Sequence, residues 1–433
     1  MDNEISSPIS KAYIYRDQLL YISLLLFSVS VLLIGDFSAF KTGIYTAGYQ
    51  IAFIIIYLFS DFKSKESISI VNGKNSLFIT TLAILLYCTY VLSYMTNIID
   101  VNSETHRLAM SLKMLFYTTH LCFLYTLIQY FYKTIRVNTN FFSVVPVTVT
   151  IIISCILSIY FIYSNPQIDY TATNIPFATN IRHLGYIATM GSVISTVKIL
   201  RNFNTKNLSL AMWMVILTLN LSLLFWLGGR AALLSYTFTI AIYSYFLLKD
   251  YSFLKKYLIY IVISIIIAIF ISTSVSIYPW NGILRVKESI EEFSDVNQLS
   301  SNRLEMWTHC FRYGLESFWL GHGPDAYRFM PTKTAGVQPH NLFLQVFLEA
   351  GFIGLLCFSA ILISSIYKAI LLLVNKVKSE HEEAVSLAFV VIVAMTIHGT
   401  LSGTYYHAQP LYFIMLSFAV IASISIQHQE CRK

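Results

Sequence analysis

The chain has 433 residues, of which 56% are hydrophobic and only 12% charged, and its mean hydropathy is +0.64. A soluble globule of this size needs more polar surface than that, so the composition fits a bilayer as solvent. The formal charge of +7 is spread over many short loops between apolar runs, a topogenic pattern and not the single basic stripe of a nucleic-acid binder.

The polar, mixed-charge start MDNEISSPISKAYIYRDQ has no compact basic region followed by a small-residue cleavage site, and we read no removable signal peptide in it. Apolar runs of about 18 to 22 residues, each enough to cross about 30 Å of hydrocarbon, follow near residues 18–36, 43–60, 77–95, 107–132, 143–164 and 183–200. Six more lie near 208–227, 229–248, 257–278, 351–374, 384–403 and 408–426. The expectation is an all-α polytopic membrane protein with about 12 transmembrane helices. Lys63, Lys65 and Lys74 follow the second run, Lys133 and Arg136 the fourth, Arg201 and Lys206 the sixth, and Lys249, Lys255 and Lys256 the eighth. Lys376 and Lys378 follow the tenth, and Arg432 and Lys433 end the chain. The positive-inside rule then puts these loops and both termini in the cytoplasm.

Of the opposite loops, residues 165–182 are one longer piece, and the stretch from Tyr278 to Pro339 is long, polar and rich in Trp, Arg and His. This divides the chain into 1–278 with helices 1–9, a periplasmic loop subdomain at 279–341, and 342–433 with an interfacial helix and helices 10–12. In the loop, Asn302 and Glu305 are spaced as a capping box. Leu304, Trp307, Phe311 and Leu315 share a face at helical spacing, which we expect to pack against the membrane domain. The apolar run Leu342–Val374 is too long for one untilted crossing. Asn341 as N-cap and a turn near Gly351 predict a short interfacial helix and then the tenth span, which holds His340 at the water–membrane boundary. A loop imidazole of near-neutral pKa can act there as a base. The cysteines Cys88, Cys122, Cys155 and Cys357 fall in apolar runs, Cys310 in the loop and Cys431 in the tail, with neither a disulfide framework nor a CxxC metal pattern. His309 and His322 accompany His340, but no closely spaced ligand pair such as HxxxH or HExxH occurs, so no metal is expected.

The run His340-Asn341, nine residues, then Gly351-Phe352-Ile353-Gly354 resembles the signature of O-antigen ligases, which some polymerases share. Arg303-Leu304-Glu305-Met306-Trp307 and Gly321-His322-Gly323 resemble the Arg-x-x-x-Trp and Gly-x-Gly blocks that precede it in the O-antigen ligase and polymerase superfamily. Gly228-Gly229-Arg230 resembles that superfamily's arginine-bearing loop between two central helices, with glycine in place of the more frequent serine. The detailed resemblance covers residues 225–360. It implies a metal-independent inverting glycosyltransferase without cofactor in the bacterial inner membrane, its active site facing the periplasm. It also implies a donor glycan on undecaprenyl pyrophosphate and a lipid A-core or lipid-linked glycan acceptor.

On that reading Arg230 and Arg303 hold the diphosphate through forked bonds and His340 is the base. Arg303 at the first position of its helix opposes the macrodipole, a broken local rule that function can explain. Arg182 could complete a basic rim, Arg328 similarly, and Trp307 could stack on a sugar face, while Asn341 fixes His340. O-antigen ligase activity is the leading expectation. Polymerisation of lipid-linked repeat units is the alternative, protein O-glycosylation another. A secondary transporter or flippase would carry ionisable residues near the midplane or repeated halves, and of these only Lys113 is a clear instance.

Overall fold

The computed structural model describes residues 8–36, 38–62, 74–99, 101, 103–134, 137–163, 178, 180–201, 207–247, 251–274, 303–331, 336–375 and 377–430. In chain order the helices are α1 (Pro8–Leu33), α2 (Ala39–Phe62), α3 (Lys74–Ile98), α4 (Glu104–Lys133), α5 (Asn140–Tyr163), α6 (Ile181–Arg201) and α7 (Asn207–Leu227). Then come α8 (Arg230–Leu247), α9 (Tyr251–Ser274), α10 (Arg303–Glu316), α11 (Ala326–Phe329), α12 (Leu342–Val374), α13 (Ser379–Gly399) and α14 (Ala408–Glu430). A long helix therefore stands at each of the expected apolar runs, and among the described residues nine are long and apolar enough to cross a membrane. The three that fall short are α4, α6 and α8.

Position in the bundle accounts for this in α6. It is buried along nearly its whole length, packed against α5, α7, α8 and α13, and a helix surrounded by protein needs no lipid-compatible surface. The centre is made by α6, α13 and α14, with Tyr186, Phe389, Tyr412 and Phe413 fully buried. Large apolar side chains such as Phe59, Tyr245 and Phe270 point outward from α2, α8 and α9, as lipid-facing surface does. At one end α6 and α13 are pinned by Lys198 to Glu383 and by Arg201 to Glu382 at 2.7 Å. At the other, the Tyr186 hydroxyl bonds Ser402 Oγ at 2.7 Å, just beyond α13.

The break in α12 occurs where the sequence places it. Gly351 has φ +64° and ψ −165°, a conformation that side chains oppose. The backbone groups freed there are taken up by segment 318–322, which runs into the Gly-x-Gly block, with His322 N donating to Leu348 O and Phe352 N to Phe318 O, both at 2.7 Å. The two backbones interlock: a Cβ on Gly351 would come 2.3 Å from the Trp319 carbonyl, and one on Gly321 would come 2.6 Å from Gly351 N.

Helix α10 corrects one expectation. Its buried residues are Met306, Cys310 and Gly314, while Leu304, Phe311 and Leu315 are exposed. The helix docks through its thin side because Gly314 lets the Phe347 ring approach to a distance no Cβ would allow. Glu305 bears on His309 at 3.8 Å; Asn302, the other half of the expected capping box, lies outside the described residues, as do residues 275–301.

A Gly351→Ala replacement meets both an unfavourable φ and the Trp319 backbone. We expect it to cost about 1–3 kcal/mol or more, read as a lowered thermal unfolding midpoint of the detergent-solubilised protein. A midpoint equal to wild type would refute the interlock.

Candidate active site

Three helix starts converge at one end of the bundle. Arg182 is the second residue of α6, Arg230 the first of α8 and Arg303 the first of α10. All three line one cavity of about 390 Å³ with Asn180, His398 and Ser402, and none of its described lining residues is acidic. Each arginine sits where a helix already presents partial positive charge, so three local penalties add up in one place. Helix starts and guanidinium forks both favour a negative charge in such a place. Gly228, at φ +60°, ends α7 and turns the chain so that Arg230 opens α8 at the cavity wall.

Arg303 is anchored by a bond from Nη1 to the Leu401 carbonyl. Burial, and then the charge of Arg182, lower its pKa to about 10, with Tyr186 opposing and Arg230 adding to the shift; it stays charged at neutral pH. The positive charge is thus concentrated enough to act on itself.

His340 joins this group. Arg182 Nη1 donates to His340 Nε2 at 2.9 Å, which makes Nε2 the acceptor and assigns the proton of the neutral ring to Nδ1. That Nδ1 is buried and has no hydrogen-bond partner among the described residues. Burial, followed by the charges of Arg182 and Arg303, pushes the His340 pKa down to about 3.

The backbone at His340 is held in a conformation that a side chain avoids, φ +54°, at a cost of about 1–2 kcal/mol. Neighbours on both sides impose it. Trp307 Nε1 donates to the Pro339 carbonyl at 2.9 Å. Asn341 caps α12, accepting from Phe343 N at 3.0 Å and Leu344 N at 3.1 Å, and its Nδ2 reaches the Thr400 carbonyl at 3.1 Å. Trp307 and Asn341 thus touch the backbone that positions the imidazole.

Of the residues singled out in the sequence, Arg182, Arg230, Arg303 and His340 come together. Arg328 does not: it pairs with Asp325 at 2.7 Å and bonds the Tyr406 hydroxyl at 2.8 Å, in a separate cavity. His322 stacks on Tyr313, and its Nε2 meets the Tyr313 carbonyl at 2.7 Å. Sequence reasoning missed His398, Ser402 and Tyr186. The available signal was the polar cluster between the last two apolar runs, His398-Gly399-Thr400-Leu401-Ser402-Gly403, in an otherwise short loop.

No curated protein matches the chain significantly. Residues 210–359, which hold Arg230, Arg303, Trp307, His340 and Gly351, match the family model described as O-antigen ligase. That match, over residues 210–359 of 433, supports the O-antigen ligase superfamily for this multi-pass chain.

Proposed function

We propose that the chain is an O-antigen ligase, transferring a glycan en bloc from undecaprenyl pyrophosphate to a hydroxyl of a lipid A-core sugar at the periplasmic face of the inner membrane. The superfamily implies lipid-linked glycan substrates. The observation that carries the reading is the cavity lined by three arginines with no carboxylate among its described lining residues, one of those arginines, Arg182, being bonded to His340. Such a cavity demands a concentrated anion, and a diphosphate next to lipid is one.

In this mechanism Arg182, Arg230 and Arg303 hold the diphosphate. The acceptor oxygen attacks the anomeric carbon from the face opposite the leaving group, so configuration inverts. The bond between that carbon and the diphosphate oxygen breaks, the diphosphate leaves with the electron pair, and the hydroxyl proton passes to His340 Nε2. The leaving group needs no acid and the step no metal ion, because the guanidinium groups neutralise the developing charge.

Arg182 occupies the Nε2 lone pair, and the nearby charges make His340 a weak base. Diphosphate binding draws Arg182 onto a phosphate oxygen and neutralises the charges that depress the imidazole pKa. The base is thereby released when the donor arrives.

Replacing His340 with Ala is expected to lower transfer by about 10² to 10⁴, measured with purified protein and lipid-linked donor. The pH profiles carry a further expectation. The folded imidazole is held neutral well below its ordinary pKa, so the acid limb of kcat/KM, a property of free enzyme, lies far below pH 6. The kcat limb, a property of the loaded enzyme, lies at higher pH because the bound anion raises the pKa. Coincident limbs, or near-normal turnover of His340→Ala, would remove His340 from the role.

Arg230→Lys and Arg303→Lys keep the charge but lose the planar fork, and each is expected to weaken inorganic pyrophosphate binding and transfer at least about tenfold. Wild-type values in both would leave only a point-charge role. A deletion strain discriminates the acceptor. Bare lipid A-core with full-length polymer left on the carrier marks a ligase; core bearing one repeat unit marks a polymerase and overturns the ligase assignment.

A further inference from the structure

Lys113, the ionisable residue that stands out inside an apolar helix, plays no part in the arginine cavity. It lines a second, smaller cavity at the same end of the bundle, of about 60 Å³, formed with Phe40, Phe116, Tyr405, Tyr406 and Arg328. Its Nζ stands 3.7 Å from the centroid of the Tyr406 ring. Among the described residues, no carboxylate comes within ion-pair distance and no acceptor takes its N–H groups.

The two acids nearby have closer partners, and each acts on Lys113 only through its charge. Asp325 accepts from the Tyr406 hydroxyl at 3.1 Å and pairs with Arg328 at 2.7 Å. Glu349 accepts from the Tyr117 hydroxyl at 2.6 Å and from Gln345 Nε2 at 3.1 Å. The aromatic face under Lys113 attracts its charge but does not satisfy three N–H donors. The half-buried ammonium therefore keeps N–H donors turned to the cavity, where an oxygen ligand can take them.

Size limits what that ligand is. A water occupies about 10–15 Å³ of such volume, so 60 Å³ holds a few waters or one carboxylate or phosphate group; a whole sugar ring does not fit. Placement limits it further. The loop after α13 separates the two cavities: His398 and Ser402 line the arginine side, Tyr405 and Tyr406 the lysine side. His407, in the same loop, feels the charge of Lys113 on one hand and of Arg182 on the other. An anion at Lys113 thus lies across this partition from the diphosphate, on the side left for the other substrate.

We propose that the Lys113 cavity is a subsite for one anionic group, a carboxylate or a phosphate, carried by the acceptor glycan and distinct from the arginine cavity that holds the donor diphosphate. This rests on the transfer reading above, which supplies the acceptor.

The test uses the full chain in phosphatidylcholine nanodiscs, with binding of glucuronate, glucose 6-phosphate, glucose and inorganic pyrophosphate followed by thermal shift. Both acidic sugars are expected to bind at least about tenfold more tightly than glucose, with pyrophosphate already saturating. Lys113→Gln should weaken the acidic sugars about tenfold and leave pyrophosphate binding intact, which also shows that the variant is folded. Gly43→Leu provides a steric counterpart: a Cβ there would stand 3.5 Å from the Phe116 ring, and the longer side chain enters the cavity, so the same loss is expected. Unchanged binding in both variants, equal binding of glucose and glucuronate, or displacement of glucuronate by pyrophosphate would each overturn the subsite. Loss of acidic-sugar binding in phosphatidylglycerol nanodiscs would assign the cavity to a lipid headgroup and overturn it as well. Failure of pyrophosphate to bind wild type strikes the donor reading instead; the sugar arms alone decide the subsite.

Discussion

Mutual repulsion among Arg182, Arg230 and Arg303 is the constraint around which this end of the molecule is organised. Arg182 and Arg230 act on Arg303, and Arg182 and Arg303 lower the basicity of the His340 imidazole beside them. The elements bearing Arg182 and Arg303 are held by other contacts. Helix α6 is buried along its length and tied at its far end to α13 by two ion pairs. Arg303 is bonded to the backbone of the loop that follows α13. The bundle thus holds like charges near one another at one end.

His340 shows the same logic in the backbone. Its left-handed conformation is unfavourable by itself, and it is imposed by Trp307 on the preceding carbonyl and by Asn341 through the cap and Thr400. Three separate segments, α10, the start of α12 and the loop after α13, therefore set one imidazole. A bond lost in any of them moves the ring without touching it.

Much of this architecture was legible because hydropathy, capping and glycine chemistry act locally. Apolar runs located the long helices, Asn341 announced a helix start, and an overlong run with Gly351 inside it required a break. The arginines of the site were visible as charges out of place. What was not legible depends on approach through space. The stripe of Leu304, Phe311 and Leu315 satisfied helical spacing, yet α10 docks through Met306, Cys310 and Gly314, because close packing against Phe347 favours a missing side chain over a large one. Arg328 looked like a rim residue and pairs with Asp325 instead. His398, Ser402 and Tyr186 carry no spacing signature, since they meet only when α6 and α13 lie side by side.

The interlock of Gly321 with Gly351 bears on how the chain is assembled during synthesis. Segment 317–322 precedes α12, so it has left the ribosome before the residues it will bend. A 33-residue apolar run inserting alone has no reason to stop at Gly351, and hydropathy would let it slide along the membrane normal. With the wedge already delivered on the loop side, the carbonyls of Phe318 and Trp319 await the amides of Phe352 and Ile353. The register of this helix is then set by a backbone match with an earlier segment, and correct placement of that segment becomes a prerequisite for seating the helix at its final depth.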